Sequence, residues 1–248
     1  MIAAGSDAKP LVGKRAFVTG GARRIGRGLA LALAEAGAQV TITYRGSEFE
    51  AEQTVADLKA TGVDAFALAC DVRDEASVNA AVAEAVERMH GLDILVNNAG
   101  AFETVALEEI SVAEWDAMFE TNTRGPFLVA KAAHAALKAR GGRIVNIGSL
   151  GGIHPWATHA HYCTSKAALH MLSRTMAKAW APEISVNCVA PGMIVQGEVN
   201  TAYEHFAQKT PMQRNGRVED VAAAVLFFAT APHFITGQLL AVDGGLGL

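Results

Sequence analysis

Cysteine is scarce. Cys70, Cys163 and Cys188 stand far apart in a chain of 248 residues, with no Cys-x-x-Cys spacing. That pattern argues against a disulfide framework and a structural zinc site, and suits a reducing compartment, the cytoplasm. Proline is rare too, 7 residues against 24 glycines, which implies many tight turns and no proline-rich linker. The longest apolar run, 221–231, falls well short of the roughly 20 residues that cross a bilayer. Residues 1–10 are small and polar with no apolar stretch, so they read as a flexible tail rather than a secretory leader. Charge is sparse as well: 19% of residues, with a net −4. There is no basic footprint for nucleic acid and no polybasic membrane patch. No side-chain cluster has metal-ligand spacing, so no metal is expected.

What the chain does have is apolar residues, 51% of the total. That is enough for a large core and incompatible with disorder. Apolar, β-rich runs at 15–19, 39–44, 64–69, 94–97, 143–147, 185–189 and 239–242 alternate with stretches of helical period. Ile25, Leu29 and Leu33 recur at i, i+4, i+8, as do Val78, Val82 and Val86 before Met89. Strands without polar alternation are buried on both faces. The expectation is an α/β chain: a Rossmann-type, doubly wound parallel sheet of about seven strands, with helices on both sides. Residues 11–248 form a single catalytic domain in this reading. The least regular stretch, about 193–215, is long enough to be a functional loop.

The first strand runs into Thr19-Gly20-Gly21-Ala22-Arg23-Arg24-Ile25-Gly26 and then a helix. Glycines there let backbone approach a pyrophosphate, and a helix start offers free N–H groups. Alone, such a turn fits a plain tight turn equally well. The second strand adds weight. It ends Thr43-Tyr44-Arg45-Gly46-Ser47, without the acid that binds a ribose 2′-hydroxyl in NAD-binding folds. Arg23, Arg24 and Arg45 would instead bind a 2′-phosphate through charge-assisted bonds, which points to NADP(H). Taken singly, each is equally a solvated surface arginine.

Tyr162-Cys163-Thr164-Ser165-Lys166 lies in a helical stretch, and i, i+4 spacing puts Tyr162 and Lys166 side by side. A neighbouring ammonium lowers a phenol's pKa, making a better acid and base near neutrality. Most Tyr-x-x-x-Lys pairs are merely structural, but here several further motifs accompany the pair. They are the glycine turn, Asp71-Val72, Asn97-Asn98-Ala99-Gly100, Asn122, Ser149 thirteen residues before Tyr162, Pro191-Gly192 with Ile194 beyond it, Thr236-Gly237 and Val242-Asp243-Gly244-Gly245. In this order they resemble the short-chain dehydrogenase/reductase family in its single-domain form, from about residue 11 to the end.

The resemblance implies an NADP(H)-dependent reduction of a small-molecule carbonyl. Tyr162 would be the proton donor, Lys166 would hold the ribose and stabilise the tyrosinate, Ser149 would orient the substrate oxygen, and Asn122 would anchor a water. Gly20, Ile25, Gly26, Tyr44, Ser47, Asp71, Val72, Asn98, Ala99, Gly100, Pro191, Gly192 and Ile194 would line the cofactor with the three arginines. It also implies a homotetramer, or failing that a dimer. Two departures stand out: Arg24 where the motif usually has glycine, as in pteridine reductases, and Gln196 where a carboxamide-binding threonine is usual. Pteridine reductases tend to carry aspartate at the position of Ser149. The pattern is also similar to 3-oxoacyl-carrier-protein reductases, whose acidic carrier would need a basic face such as Arg140, Arg143 and Arg174. A catalytically idle NADPH sensor or scaffold is the rival of another class. His154, Trp156 and His159, with Tyr203 and Phe206, are candidate walls for a flat or aromatic substrate, whereas His161 and Cys163 suit plain packing.

Overall fold

A strand that is apolar or β-branched on both faces is stable only between two covering layers. All seven such runs become strands of one sheet: β1 (Arg15–Val18), β2 (Gln39–Tyr44), β3 (Ala65–Ala69), β4 (Ile94–Asn97), β5 (Arg143–Ile147), β6 (Ser185–Pro191) and β7 (Leu239–Val242). The computed structural model describes residues 9–195 and 203–248. The strands are all parallel, in the order β3-β2-β1-β4-β5-β6-β7. β6 runs two residues beyond its expected end because Ala190 and Pro191 still pair with Ala241 and Val242. β1 stops one residue early, where the glycine turn begins.

The helices are α1 (Arg24–Glu35), α2 (Glu48–Ala60), α3 (Glu75–Met89), α4 (Val112–Phe119), α5 (Gly125–Lys138), α6 (Ala160–Trp180), α7 (Glu204–Lys209) and α8 (Val218–Thr230). Leu29, Leu33, Leu58, Val221 and Val225 join α1, α2 and α8 to one face of the sheet. Val78, Val82, Leu137 and Met176 join α3, α5 and α6 to the other. Each such leucine out of water contributes about 1.5–3 kcal/mol. No described helix is long and apolar enough to cross a membrane.

The sheet order reverses between β1 and β4, and in open parallel sheets ligands bind outside the carboxyl ends of the strands at that point. The glycine turn, Asn98–Gly100, Gly148-Ser149 and Gly192 follow β1, β4, β5 and β6 directly. The stretch expected as an irregular loop contains a bridge and a helix among its described residues. Ile194 bridges to Gly216, and α7 occupies 204–209. Gln196 lies outside the described residues.

Candidate active site

The nucleotide end is held together by side chains that donate or accept across strands. Oγ1 of Thr19 accepts the N–H groups of Asn98 and Ala99, both at 3.0 Å. The Asn98 amide answers by donating to the carbonyls of Thr19 (2.9 Å) and Gly20 (3.1 Å). Thr43 accepts from Gly20 N at 3.2 Å. Gly20 has φ +62, and a Cβ on Gly26 would collide with the Gly20 carbonyl and the Asn98 amide. α1 starts with no side-chain cap and no acid in its first turn. Its free N–H groups and positive dipole end therefore suit a pyrophosphate.

Arg23, Arg24 and Arg45 are all exposed at this end. Arg24 adopts φ +54, the left-handed region that favours glycine. The position does not accept a side chain without cost. Ser47 precedes α2 without using its hydroxyl as a cap. The Tyr44 hydroxyl is 3.4 Å from Glu48, on the first turn of α2. Asp71 is gripped by the Arg73 guanidinium at 3.0 and 2.6 Å, which holds its carboxyl down at about 2. Val72 is buried against Gly125.

At the catalytic end, Ser149 is the second residue beyond β5, and its Oγ accepts from Gly151 N at 3.1 Å. Tyr162 and Lys166 share a face of α6, as their spacing predicts. Burial pushes the Tyr162 phenol above its ordinary value, with the Ser149 hydrogen bond acting in the opposite direction. The expected lowering by Lys166 is not what the structure shows: the ammonium donates to Ile147 O at 2.9 Å, and burial brings its own pKa down to about 8. A Cβ on Gly100 would sit 3.5 Å from Lys166 Nζ and 3.2 Å from Asn122 Oδ1. Asn122 is wholly buried in a π-helical turn, Glu120–Arg124, between α4 and α5. Such turns are frequent at functional sites. Its amide is committed to Ala101 N (2.8 Å), Ala101 O (3.0 Å) and Ser165 Oγ (3.0 Å).

Of the expected substrate walls, Trp156 and His159 do gather at Tyr162, with Trp156 stacked at 6.2 Å and packed edge-on to His159 at 5.7 Å. Phe102 completes the group. It stacks on His159 at 4.9 Å and meets Tyr162 edge-on at 4.8 Å. Thr104 hydrogen-bonds His159 at 3.0 Å. Neither residue was singled out from sequence, although Phe102 lies only two positions past Gly100. His154 belongs elsewhere, with its Nε2 beside Gly247 at the C-terminal end. Tyr203 is exposed and Phe206 packs on His205 at 4.0 Å, so neither ring joins the cluster among the described residues. Pro191 ends β6, Gly192 lies against Asp243, and Ile194 packs into the core. Cys163 is buried and its thiol pushed up, as plain packing predicts. His161 is fully buried, 3.7 Å from Glu103.

Two of the arginines considered for carrier docking have partners within the chain. Arg140 is tied to Asp93 at 3.1 Å. Arg143 opens β5, at the end of the sheet opposite Ser149, and donates to Phe228 O at 3.4 Å. Among the described residues no group of histidine, cysteine and acidic side chains is arranged to hold a metal.

Residues 20–247 match the family model described as Enoyl-(Acyl carrier protein) reductase. The chain is 38% identical over 240 residues to a 3-oxoacyl-[acyl-carrier-protein] reductase of Staphylococcus aureus, covering 94% of this chain and 98% of that protein. A dehydrogenase/reductase of Sinorhizobium meliloti superposes with a TM-score of 0.93 at 36% identity, covering 97% of this chain and 98% of the other. A short chain dehydrogenase of Burkholderia cenocepacia, solved in complex with NADP, does so with a TM-score of 0.91 at 38% identity, covering 96% and 100%. With the parallel sheet, the glycine turn and the gathered Ser149, Tyr162 and Lys166, these likenesses identify an oxidoreductase: the chain belongs to the short-chain dehydrogenase/reductase family.

Proposed function

We propose that this enzyme reduces a ketone to an alcohol with NADPH. The observation that carries the reading is the meeting of Ser149 and Tyr162, from two elements, at the carboxyl ends of the strands that present the glycine turn. Two hydroxyls converging there suit a single substrate oxygen. The uncapped start of α1, the small residues Gly20 and Gly26, and the exposed Arg23, Arg24 and Arg45 fit a dinucleotide with a 2′-phosphate. The NADP of the Burkholderia structure agrees.

Bound NADPH supplies the hydride. Ser149 donates a hydrogen bond to the carbonyl oxygen and fixes its direction. Tyr162 gives its proton to that oxygen as it becomes an alkoxide. Lys166, buried with a pKa near 8, carries positive charge at neutral pH, which stabilises the resulting phenolate, and it holds the ribose hydroxyls. Asn122 keeps Ala101 in place beside Lys166. Asp71 and Val72 border the adenine, and Asn98, Ala99, Gly100, Pro191, Gly192 and Ile194 border the rest of the cofactor. Phe102, Trp156 and His159 form an aromatic wall that suits a flat substrate.

The Staphylococcus relative favours a second reading, reduction of a 3-oxoacyl thioester on a carrier protein. Oxidation of NADPH, with NADH as control, across acetoacetyl thioesters, diketones, quinones, aromatic ketones and pterins separates the two. On whichever class turns over, Tyr162→Phe should lower kcat by about 10²–10⁴-fold. An unchanged kcat would remove Tyr162 as the acid, and binding of NADPH without turnover of any class would favour a sensor. The proposed setting is the cytoplasm, in keeping with three free, buried thiols, and residues 11–248 act as one catalytic domain with its substrate loop at 193–215.

A further inference from the structure

Where β5 ends, its hydrogen-bond ladder ends too. Gly148 N still donates to Val189 O at 2.7 Å, but the next N–H, that of Ser149, has no strand partner. It donates instead to Nε2 of His170 at 3.3 Å. His170 is 6% exposed and sits on α6 one turn beyond Lys166. The same ring packs against Gly152, at the far end of the single turn Leu150–Gly152 that follows Ser149. Glycine at 148 and 152 makes room for it. A Cβ on Gly148 would collide with Nε2, and one on Gly152 would stand 2.6 Å from Cε1. A ring nitrogen that accepts from an amide carries no proton, so the imidazole is neutral with its proton on Nδ1.

We propose that His170 is a positioning residue for the reduction. It clamps both ends of the turn that carries Ser149 and so sets where the Ser149 hydroxyl meets the substrate oxygen. This rests on the role given to Ser149 above. Three functional positions of α6 then lie on one stripe at i, i+4, i+8: Tyr162 for the proton, Lys166 for charge, and His170 for the geometry of the partner hydroxyl.

The test compares wild type with Ser149→Ala, His170→Leu, His170→Gln and the double variant Ser149→Ala/His170→Leu. Turnover is measured on the best substrate of the carbonyl panel, NADPH affinity by its fluorescence, and hydrogen exchange over residues 146–153. Leucine removes the bond to Ser149 N–H, and His170→Leu should lower kcat about tenfold to a hundredfold, the cost of a misplaced group. Glutamine can still accept from Ser149 N–H and should recover most of that loss, while NADPH affinity stays put in both. In the double variant the leucine should cost nothing beyond Ser149→Ala, because residues acting through one group are not additive. Exchange at Ser149 should quicken with leucine and not with glutamine. Wild-type kcat in His170→Leu, losses that multiply in the double variant, or unchanged exchange would each overturn the proposal. Should the leucine variant fail to fold, His170→Asn, too short to reach Ser149 N–H, takes its place. Wild-type turnover in Ser149→Ala would refute the role of Ser149 itself, and the exchange data would then decide the clamp alone.

Discussion

Arg24 sits in a left-handed conformation, φ +54, at the entry to α1. A side chain there costs about 1–2 kcal/mol that glycine does not incur. Its charge toward the 2′-phosphate is the compensating gain in the proposed function. Arg24→Gly should therefore leave thermal stability equal or slightly higher, while raising KM for NADPH by about tenfold and leaving KM for NADH unchanged. Calorimetry together with both Michaelis constants checks this, and equal effects on the two cofactors would show the arginine to be solvated surface. His170 makes a second prediction at this scale. Burial, then the charges of Lys166 and Arg174 on its own helix, push the imidazole down to about 4, and on β6 the neighbouring titratable group is Cys188, next to Gly148. The depressed value means that its contribution to stability is complete above about 6.5, the unfolded value, and is lost as pH falls toward 4. In His170→Gln the slope of stability against pH in that window should flatten, by an amount on the order of a few kcal/mol over the full range. Chemical denaturation at stepped pH measures it, and an unchanged slope would mean that another group titrates there.

Among the elements, the glycine turn and α6 carry most of the site. In the turn, Gly26 allows α1 to start against the Gly20 carbonyl and the Asn98 amide, so the helix end and the Asn98–Gly100 segment are held as one body. Gly26→Ala should push them apart, lowering stability by about 1–3 kcal/mol and weakening NADPH binding even in molecules that remain folded. Denaturation midpoints and NADPH fluorescence titration are the measurements, and an unaltered dissociation constant would contradict the arrangement. α6 was legible from one pair, Tyr162 and Lys166. The stripe continues to His170 by the same rule of four, yet nothing local marks a third member. A histidine four residues past a lysine is ordinary until the chain beyond β5 folds back onto it.

For the whole molecule, the β7 side carries part of the exposed apolar surface. Leu240 on the edge strand is 39% exposed, Phe227 on α8 48% and Phe234 98%. Exposed large apolar groups with an unpaired strand edge favour pairing with another copy, and closed symmetric assemblies are the usual result. We propose the homotetramer that the family resemblance implies. Light scattering should give about four times the 26.0 kDa chain, and Phe227→Lys with Leu240→Lys should reduce that mass. A monomer in the wild type would overturn the assembly. The placement of Arg140 and Arg143 also belongs to this scale: as residues they are cations near a strand, and the sheet puts them at the end opposite Ser149.

Strand positions, helix periods, the glycine turn and the Tyr162–Lys166 pair were determined by the sequence itself, because burial on both faces, period and local spacing are properties of neighbours in the chain. Tertiary structure alone decided which strands lie side by side, that Lys166 turns to Ile147, and that Phe102, and not Tyr203 or Phe206, joins Trp156 and His159. Each of those outcomes depends on groups brought together by the order of the sheet. Local pattern selects an element, whereas the partner of a buried polar or aromatic side chain is set by whichever distant segment the packing delivers to it.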